Sequence, residues 1–162
     1  LVLRSSRNGH PNLYLLDVDG TNVRQITNGA WRDNFPVFAP SGHEIAFSSD
    51  RDGPRDNAGN RSFDNYILEL RPDGTPGQVR RVTTGLGHTS HPYYSPDGKW
   101  MMYTSDRGGI NDEEPVVQEV VFAPQMYGEI YLQRLIDGMT IRVTHNKWED
   151  GTSFWLPAAA GD

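Results

Sequence analysis

At 162 residues the chain has ordinary single-domain length, with a hydrophobic share of 36%, a charged share of 22% and a mean hydropathy of −0.63. No run approaches the roughly 18 consecutive apolar residues of a membrane-spanning helix. The formal net charge of −6, from 15 basic and 21 acidic residues, has the wrong sign for a protein that grips phosphate backbones regardless of sequence. The absence of cysteine excludes a disulfide framework, a cysteine nucleophile and thiolate metal sites, and it suits cytoplasm and periplasm alike. With 17 glycines and 11 prolines the chain is too turn-rich for a helical bundle. Arginine outnumbers lysine 13 to 2, and its planar fork suits fixed hydrogen bonds to carboxylates and carbonyls.

Taken in chain order, the elements repeat. A short strand runs into the polar turn Ser5-Ser6-Arg7-Asn8-Gly9. A second strand, residues 13–18, ends at the hairpin turn Asp19-Gly20, and a third carries Val23-Arg24-Gln25-Ile26-Thr27. The aromatic segment Phe35-Pro36-Val37-Phe38-Ala39-Pro40 follows. The cycle restarts at Ile45-Ala46-Phe47, with Ser49-Asp50-Arg51-Asp52-Gly53 as its polar turn and residues 66–70 as the next strand. Asp73-Gly74, Val79-Arg80-Arg81-Val82-Thr83 and His91-Pro92-Tyr93-Tyr94-Ser95-Pro96 complete it. A third cycle runs from Met101-Met102-Tyr103 through Ser105-Asp106-Arg107-Gly108-Gly109, residues 130–135, Asp137-Gly138 and Ile141-Arg142-Val143-Thr144. It ends in Thr152-Ser153-Phe154-Trp155-Leu156-Pro157. Ile45 and Phe47, like Met101 and Tyr103, are two apart, so each pair shares one face of a strand.

Arg7, Arg51 and Arg107 are 44 and 56 positions apart. A unit of about 40–45 residues is the size of a four-stranded propeller blade. The repeat units cover about 1–44, 45–100 and 101–157, with loop insertions at 54–64 and 110–128, and 158–162 form a tail or linker. The expected fold is all-β: a β-propeller of four-stranded antiparallel blades, three of them in this chain.

Ser95-Pro96-Asp97-Gly98-Lys99, the two Ser-Asp-Arg turns and the recurring Asp-Gly hairpins resemble the TolB-like β-propellers. The likeness covers nearly the whole chain outside the two insertions. The stretch from Pro124 to Gly151 is similar to a subgroup of bacterial TolB-like proteins. This resemblance implies a six-bladed ring, of which three blades are half, and a periplasmic or secreted location. Such propellers serve as binding platforms, enzyme gates and, occasionally, catalytic domains. Ring closure then comes from further sequence or from a second copy, a homodimer exchanging C-terminal strands.

With blade strands lettered A to D from the channel outwards, the chain reads B-C-D, A-B-C-D, A-B-C-D, A. The D-to-A and B-to-C connections share one face, and the short A-to-B and C-to-D turns share the other. The irregular face collects the candidate ligand-binding residues Trp31, Arg32, Asp33, His88, His91, Trp148, Glu149 and Asp150. His88 and His91 suit a metal or a proton shuttle, but their spacing in a loop is no ligand signature. Asp33, Glu149 and Asp150 suit calcium, but equally suit pairing with Arg32 and Lys147 or with backbone amides. Neither a metal nor a cofactor is expected.

Trp31 and Trp148 either stack on a ligand or pack over blade junctions, whereas Trp155 belongs to the core. Asp112, Glu113 and Glu114 open the longer insertion as a candidate partner-binding stretch. Asp50-Arg51 and Asp106-Arg107 recur, as blade-locking pairs do and catalytic pairs do not. No nucleophile elbow, phosphate loop or zinc-binding helix motif is present, and no catalytic residue is assigned. The leading expectation is a non-catalytic scaffold binding a protein or peptide at the loop-rich face. The alternatives are a carbohydrate-active lyase or hydrolase with a histidine and carboxylate site, and the gating segment of a larger peptidase.

Overall fold

The structure, a computed structural model, describes residues 1–53, 61–85, 87–107, 128–145 and 150–156. Three antiparallel sheets account for its strands. The first contains β1 (Val2–Ser5), β2 (Asn12–Leu15) and β3 (Arg24–Gln25). The second contains β4 (Asp33–Phe38), β5 (Glu44–Ser49), β6 (Asp64–Leu70) and β7 (Pro76–Arg81). The third contains β8 (Thr89–Tyr94), β9 (Trp100–Ser105), β10 (Glu129–Arg134) and β11 (Thr140–Arg142). Within each sheet every strand pairs with its neighbour in sequence, so each sheet is an up-and-down meander.

The turns explain the meander. Gly20, Gly74 and Gly138 sit at φ of 84°, 73° and 75°, where a side chain would be strained. The aspartate before each glycine accepts the N–H two residues on: Asp19 from Thr21, Asp73 from Thr75, Asp137 from Met139. The Arg-x-Thr pattern locks the outer strands. Thr27, Thr83 and Thr144 each accept, at the side-chain oxygen, the N–H of Leu13, Asn65 and Ile130 at 2.8–2.9 Å. Arg81 and Arg142 then reach the buried carboxylates of Asp64 and Glu129 on the neighbouring strand. Gln25 makes the neutral version of this contact with Asn12 in the first sheet.

The core lies between the sheets. Leu13, Leu15 and Ile26 pack on Ile45, Phe47, Tyr66 and Leu68. Ala46 and Ile67, on the opposite face of the second sheet, pack with Tyr94, Met101, Tyr103 and Tyr131. Being covered on both faces, β5 and β6 read as continuous apolar runs instead of alternating ones. Fully burying a side chain such as Phe47 or Leu68 stabilises by about 1.5–3 kcal/mol.

Two features differ from the sequence expectation. The inner strands β4 and β8 are broken by bulges between Asn34 and Val37 and between Ser90 and Tyr93. Phe35 and His91, the bulged residues, take φ of 52° and 53°. The expected third inner strand, at 153–156, forms no ladder among the described residues. Even so, it carries the same mark, since Thr152 takes φ of 50°. Trp155 is only half-buried and its neighbours Phe154 and Leu156 are 66% and 78% exposed, so this segment is not core here. Among the described residues its apolar side chains have no second strand against which to pack.

Candidate functional site

Strand register gathers the irregular loops at one end of each sheet. Asp33, Ser49 and Asp64 lie side by side at that end of the second sheet, and Thr89, Ser105 and Glu129 in the third. The loops before β4 and β8 therefore meet the first residues that follow β5 and β9, Asp50 and Asp106.

Each Ser-x-Arg turn makes the same local contacts. The arginine backbone N–H and Nε donate to the serine Oγ at 3.3 and 3.1 Å for Arg7 with Ser5. The values are 3.3 and 3.0 Å for Arg51 with Ser49, and 3.2 and 3.3 Å for Arg107 with Ser105. Each guanidinium then lies over the tyrosine of the next strand, 4.7 Å from the Tyr14 ring, 5.0 Å from Tyr66 and 5.7 Å from Tyr131. Beyond that the blades diverge. Arg51 donates to the fully buried Asp33 at 2.9 Å, whereas Arg107 donates to Thr89 Oγ1 at 3.3 Å.

The adjoining aspartates clamp the preceding loop by its backbone. Asp50 Oδ1 accepts the N–H of Arg32 and Asp106 Oδ1 that of His88, each at 2.6 Å. In return, the Asp50 and Asp106 N–H groups donate to the carbonyls of Arg32 and His88 at 3.3 and 3.2 Å. Burial pushes the Asp106 carboxyl above its ordinary range, partly offset by the His88 amide. A third recurring bond joins consecutive blades: Asp33, Thr89 and Asp150 donate their N–H to the carbonyls of Pro11, Phe63 and Gly128 at 2.8, 2.8 and 2.9 Å.

The candidate residues thus take distinct places. Trp31 is half-buried against Gly29, donates from Nε1 to Asp33 at 3.2 Å, and has the Arg51 guanidinium 4.9 Å from its ring. It closes over the Arg51–Asp33 pair. Arg32 is exposed, with Nε held by Asp50 at 2.8 Å. Its guanidinium lies 4.9 Å from the Phe63 ring. On the other side of the same junction the His88 ring is 6.2 Å from that of Phe63, and His88 Nδ1 accepts the Phe63 N–H at 3.3 Å. His91 is held elsewhere, on the inner-strand bulge, tilted against Phe35 with ring centroids 3.9 Å apart and Nδ1 3.1 Å from Ser90 Oγ. Burial lowers its pKa. The two histidines therefore serve different surroundings. Among the described residues no three His, Asp or Glu side chains converge in the manner of a metal site. Trp148, Glu149, Asp112, Glu113 and Glu114 lie outside the described residues.

Phe63 was hidden from sequence reasoning because it sits in the apparent insertion 54–64, although the repeat pairs it with Pro11 and Gly128. Two clefts open on the opposite face, about 510 Å³ around His43, Glu44, Glu69 and Arg80 and about 740 Å³ around Leu15, Asn22, Arg24 and Phe38. In the first, Arg80 and the Tyr94 hydroxyl are 3.7 and 3.4 Å from Glu44.

Meander sheets packed face to face, joined at one end by recurring amide-to-carbonyl bonds, are consecutive blades of a β-propeller. The solved structures specify which kind. TolB from Acinetobacter baumannii superposes with a TM-score of 0.64 at 26% identity, over 89% of this chain and 29% of that one. A TolB structure from Agrobacterium tumefaciens gives 0.63 at 22% identity, over 88% of this chain and 44% of that one. The chain carries TolB-like propeller blades. A puromycin hydrolase shares the fold, with a TM-score of 0.59 at 17% identity over 84% of this chain and 19% of that one. An uncharacterized protein of Agrobacterium fabrum is 33% identical over 110 residues, 64% of this chain and 35% of that protein. The chain thus spans about a third of that relative's length. No family model matches.

Proposed function

We propose that the chain is part of a non-catalytic propeller scaffold, periplasmic or secreted, that receives a protein or peptide partner on its loop face. One observation carries this reading. The loop face holds its residues by backbone clamps that recur from blade to blade, while the side chains at the clamped positions differ: Arg32 in one blade, His88 in the next. A rigid frame with changing side chains is what recognition requires, and loops on a rigid scaffold commonly supply it. The likeness to a puromycin hydrolase, at 17% identity, bears on fold alone.

The absence of cysteine permits a direct test. Single cysteines at the exposed Ala30 and Thr84 on the loop face, or at Ser41 and Lys99 on the turn face, are capped with a bulky maleimide polymer. A phage-displayed peptide library is then panned on each protein. Peptides selected on the native chain should be lost from the Ala30 and Thr84 conjugates and kept by the other two. Selection of no peptide, or equal loss from both faces, would contradict the proposal.

A further inference from the structure

The junction of the second and third sheets brings two hydrogen-bonding side chains close to one aromatic ring. Arg32 spends its Nε on Asp50, and its two Nη groups have no acceptor among the described residues. Its side chain is 46% exposed, while that of Asp50 is 8% exposed, so the cation faces outwards and its counter-charge lies behind it. His88 Nδ1 accepts the Phe63 N–H, which places the proton of the neutral imidazole on Nε2. That N–H also has no acceptor among the described residues. The Asp106 carboxylate is engaged by the His88 backbone N–H. The Phe63 ring, half-buried, lies 4.9 Å from the guanidinium and 6.2 Å from the imidazole.

Resting on the reading that the loop face receives a peptide, we propose that Arg32, Phe63 and His88 form a subsite for an acidic peptide segment. The Arg32 Nη groups donate to a Glu or Asp carboxylate in a charge-assisted contact whose fork geometry suits two parallel bonds. The stem of the acidic residue lies on Phe63, and His88 Nε2–H donates to a neighbouring carbonyl oxygen of the same segment. Because the whole chain carries a net charge of −6, the preference is set by this local pair of donors and not by the overall field. The equivalent clamped position in the next blade carries His88, so among the described residues acidity of the partner is read at Arg32.

The test uses peptides selected as above, resynthesised as Glu and Gln pairs and titrated by fluorescence polarisation. On the native chain, Glu→Gln in the peptide should weaken binding about tenfold or more, as the loss of one charge-assisted bond does. With Arg32→Gln the discrimination should fall below about twofold, and Arg32→Lys should restore part of it. His88→Gln should weaken both peptides of a pair alike by a few-fold. Melting temperatures close to the native value show that these variants fold, since the Asp50 clamp uses the Arg32 backbone. Selected peptides without acidic residues, or discrimination unchanged by Arg32→Gln, would overturn the subsite while leaving the loop-face scaffold standing. Binding of a short polyuronate, lost with Arg32→Gln, in place of any peptide would overturn the peptide as occupant. Loss of selection from turn-face conjugates as well would overturn the scaffold reading itself.

Discussion

The two faces of these blades solve the same geometrical problem with opposite degrees of repetition. On the turn face each hairpin uses one device. Asp19, Asp73 and Asp97 accept hydrogen bonds from the hydroxyls and amides of Thr21, Thr75, Ser95 and Lys99, which hold their carboxyls below the ordinary range. The Asp137 carboxyl, paired with Arg134, falls to about 2. On the loop face the backbone bonds are equally regular, yet the side chains on them are not: Arg32 and His88, Asp33 and Thr89, Pro11 and Phe63. Where repeats agree in side chain, the side chain builds the blade. Where they agree only in backbone, the side chain either braces its own blade, as the buried Asp33 and Thr89 do, or stands exposed to serve a partner, as Arg32 does.

The sharpest way to break this comparison is to remove the two equivalent arginines. Arg51→Met leaves the carboxylate of Asp33 buried without its cation, and such a loss costs about 3–5 kcal/mol. Arg107→Met loses the same serine and tyrosine contacts as Arg51→Met but leaves the Thr89 hydroxyl, not a carboxylate, without its donor, so its cost should be smaller by about 2 kcal/mol or more. Urea unfolding measures both, and equal losses would mean that the two blades are locked alike.

Next in size is a turn-face change. Gly98→Ala at φ of 70° meets no atom closer than Pro40 Cδ at 3.8 Å, so its expected cost is the left-handed strain alone, about 1–2 kcal/mol. A neutral result would show that the A-to-B turn adapts.

A third test concerns residues 150–156 and β1. Asp150 occupies in residues 150–156 the place of Asp33 in β4, and Arg7 has no carboxylate partner among the described residues. A chain of these 162 residues expressed by itself should self-associate, with 150–156 of one copy beside β1 of another. Light scattering should show association reduced by Arg7→Asp and recovered when Asp150→Arg is added. A monodisperse monomer would reject the exchange.

The smallest effect is a pH dependence. Burial depresses the His91 pKa, so its contribution is fully present above the ordinary histidine value near 6.5 and is lost as pH falls towards the lower folded value. Burial raises Asp64 and Asp106, which has the opposite sign: stability grows as pH falls through their windows. The His91 part is therefore read as the difference between native and His91→Gln proteins in urea titrations from pH 7 to pH 5. Parallel curves would mean that the bulge leaves His91 as free to ionise as it is in the unfolded chain.

The strand meander, the Asp-Gly turns and the blade-locking role of the Ser-Asp-Arg turns were legible because each depends on residues close in sequence and repeated. The bulges were not. A proline at 36 or 92 argues for an extended residue before it, whereas Phe35 and His91 take the left-handed region. The pairs Asp64–Arg81 and Glu129–Arg142 were hidden because the first sheet fills the same places with Asn12 and Gln25. At the site, Arg32 and His88 stood out by their chemistry. Their shared clamp and the intervening Phe63 did not, because they depend on which strands lie side by side.

The most direct measurement is hydrogen–deuterium exchange with and without a selected peptide. Added protection is expected in the amides of residues 29–34, 61–64, 84–85 and 87–91, with residues 41–44 and 96–100 unchanged. Protection concentrated at 41–44 and 96–100, with the loop face unaffected, would contradict it.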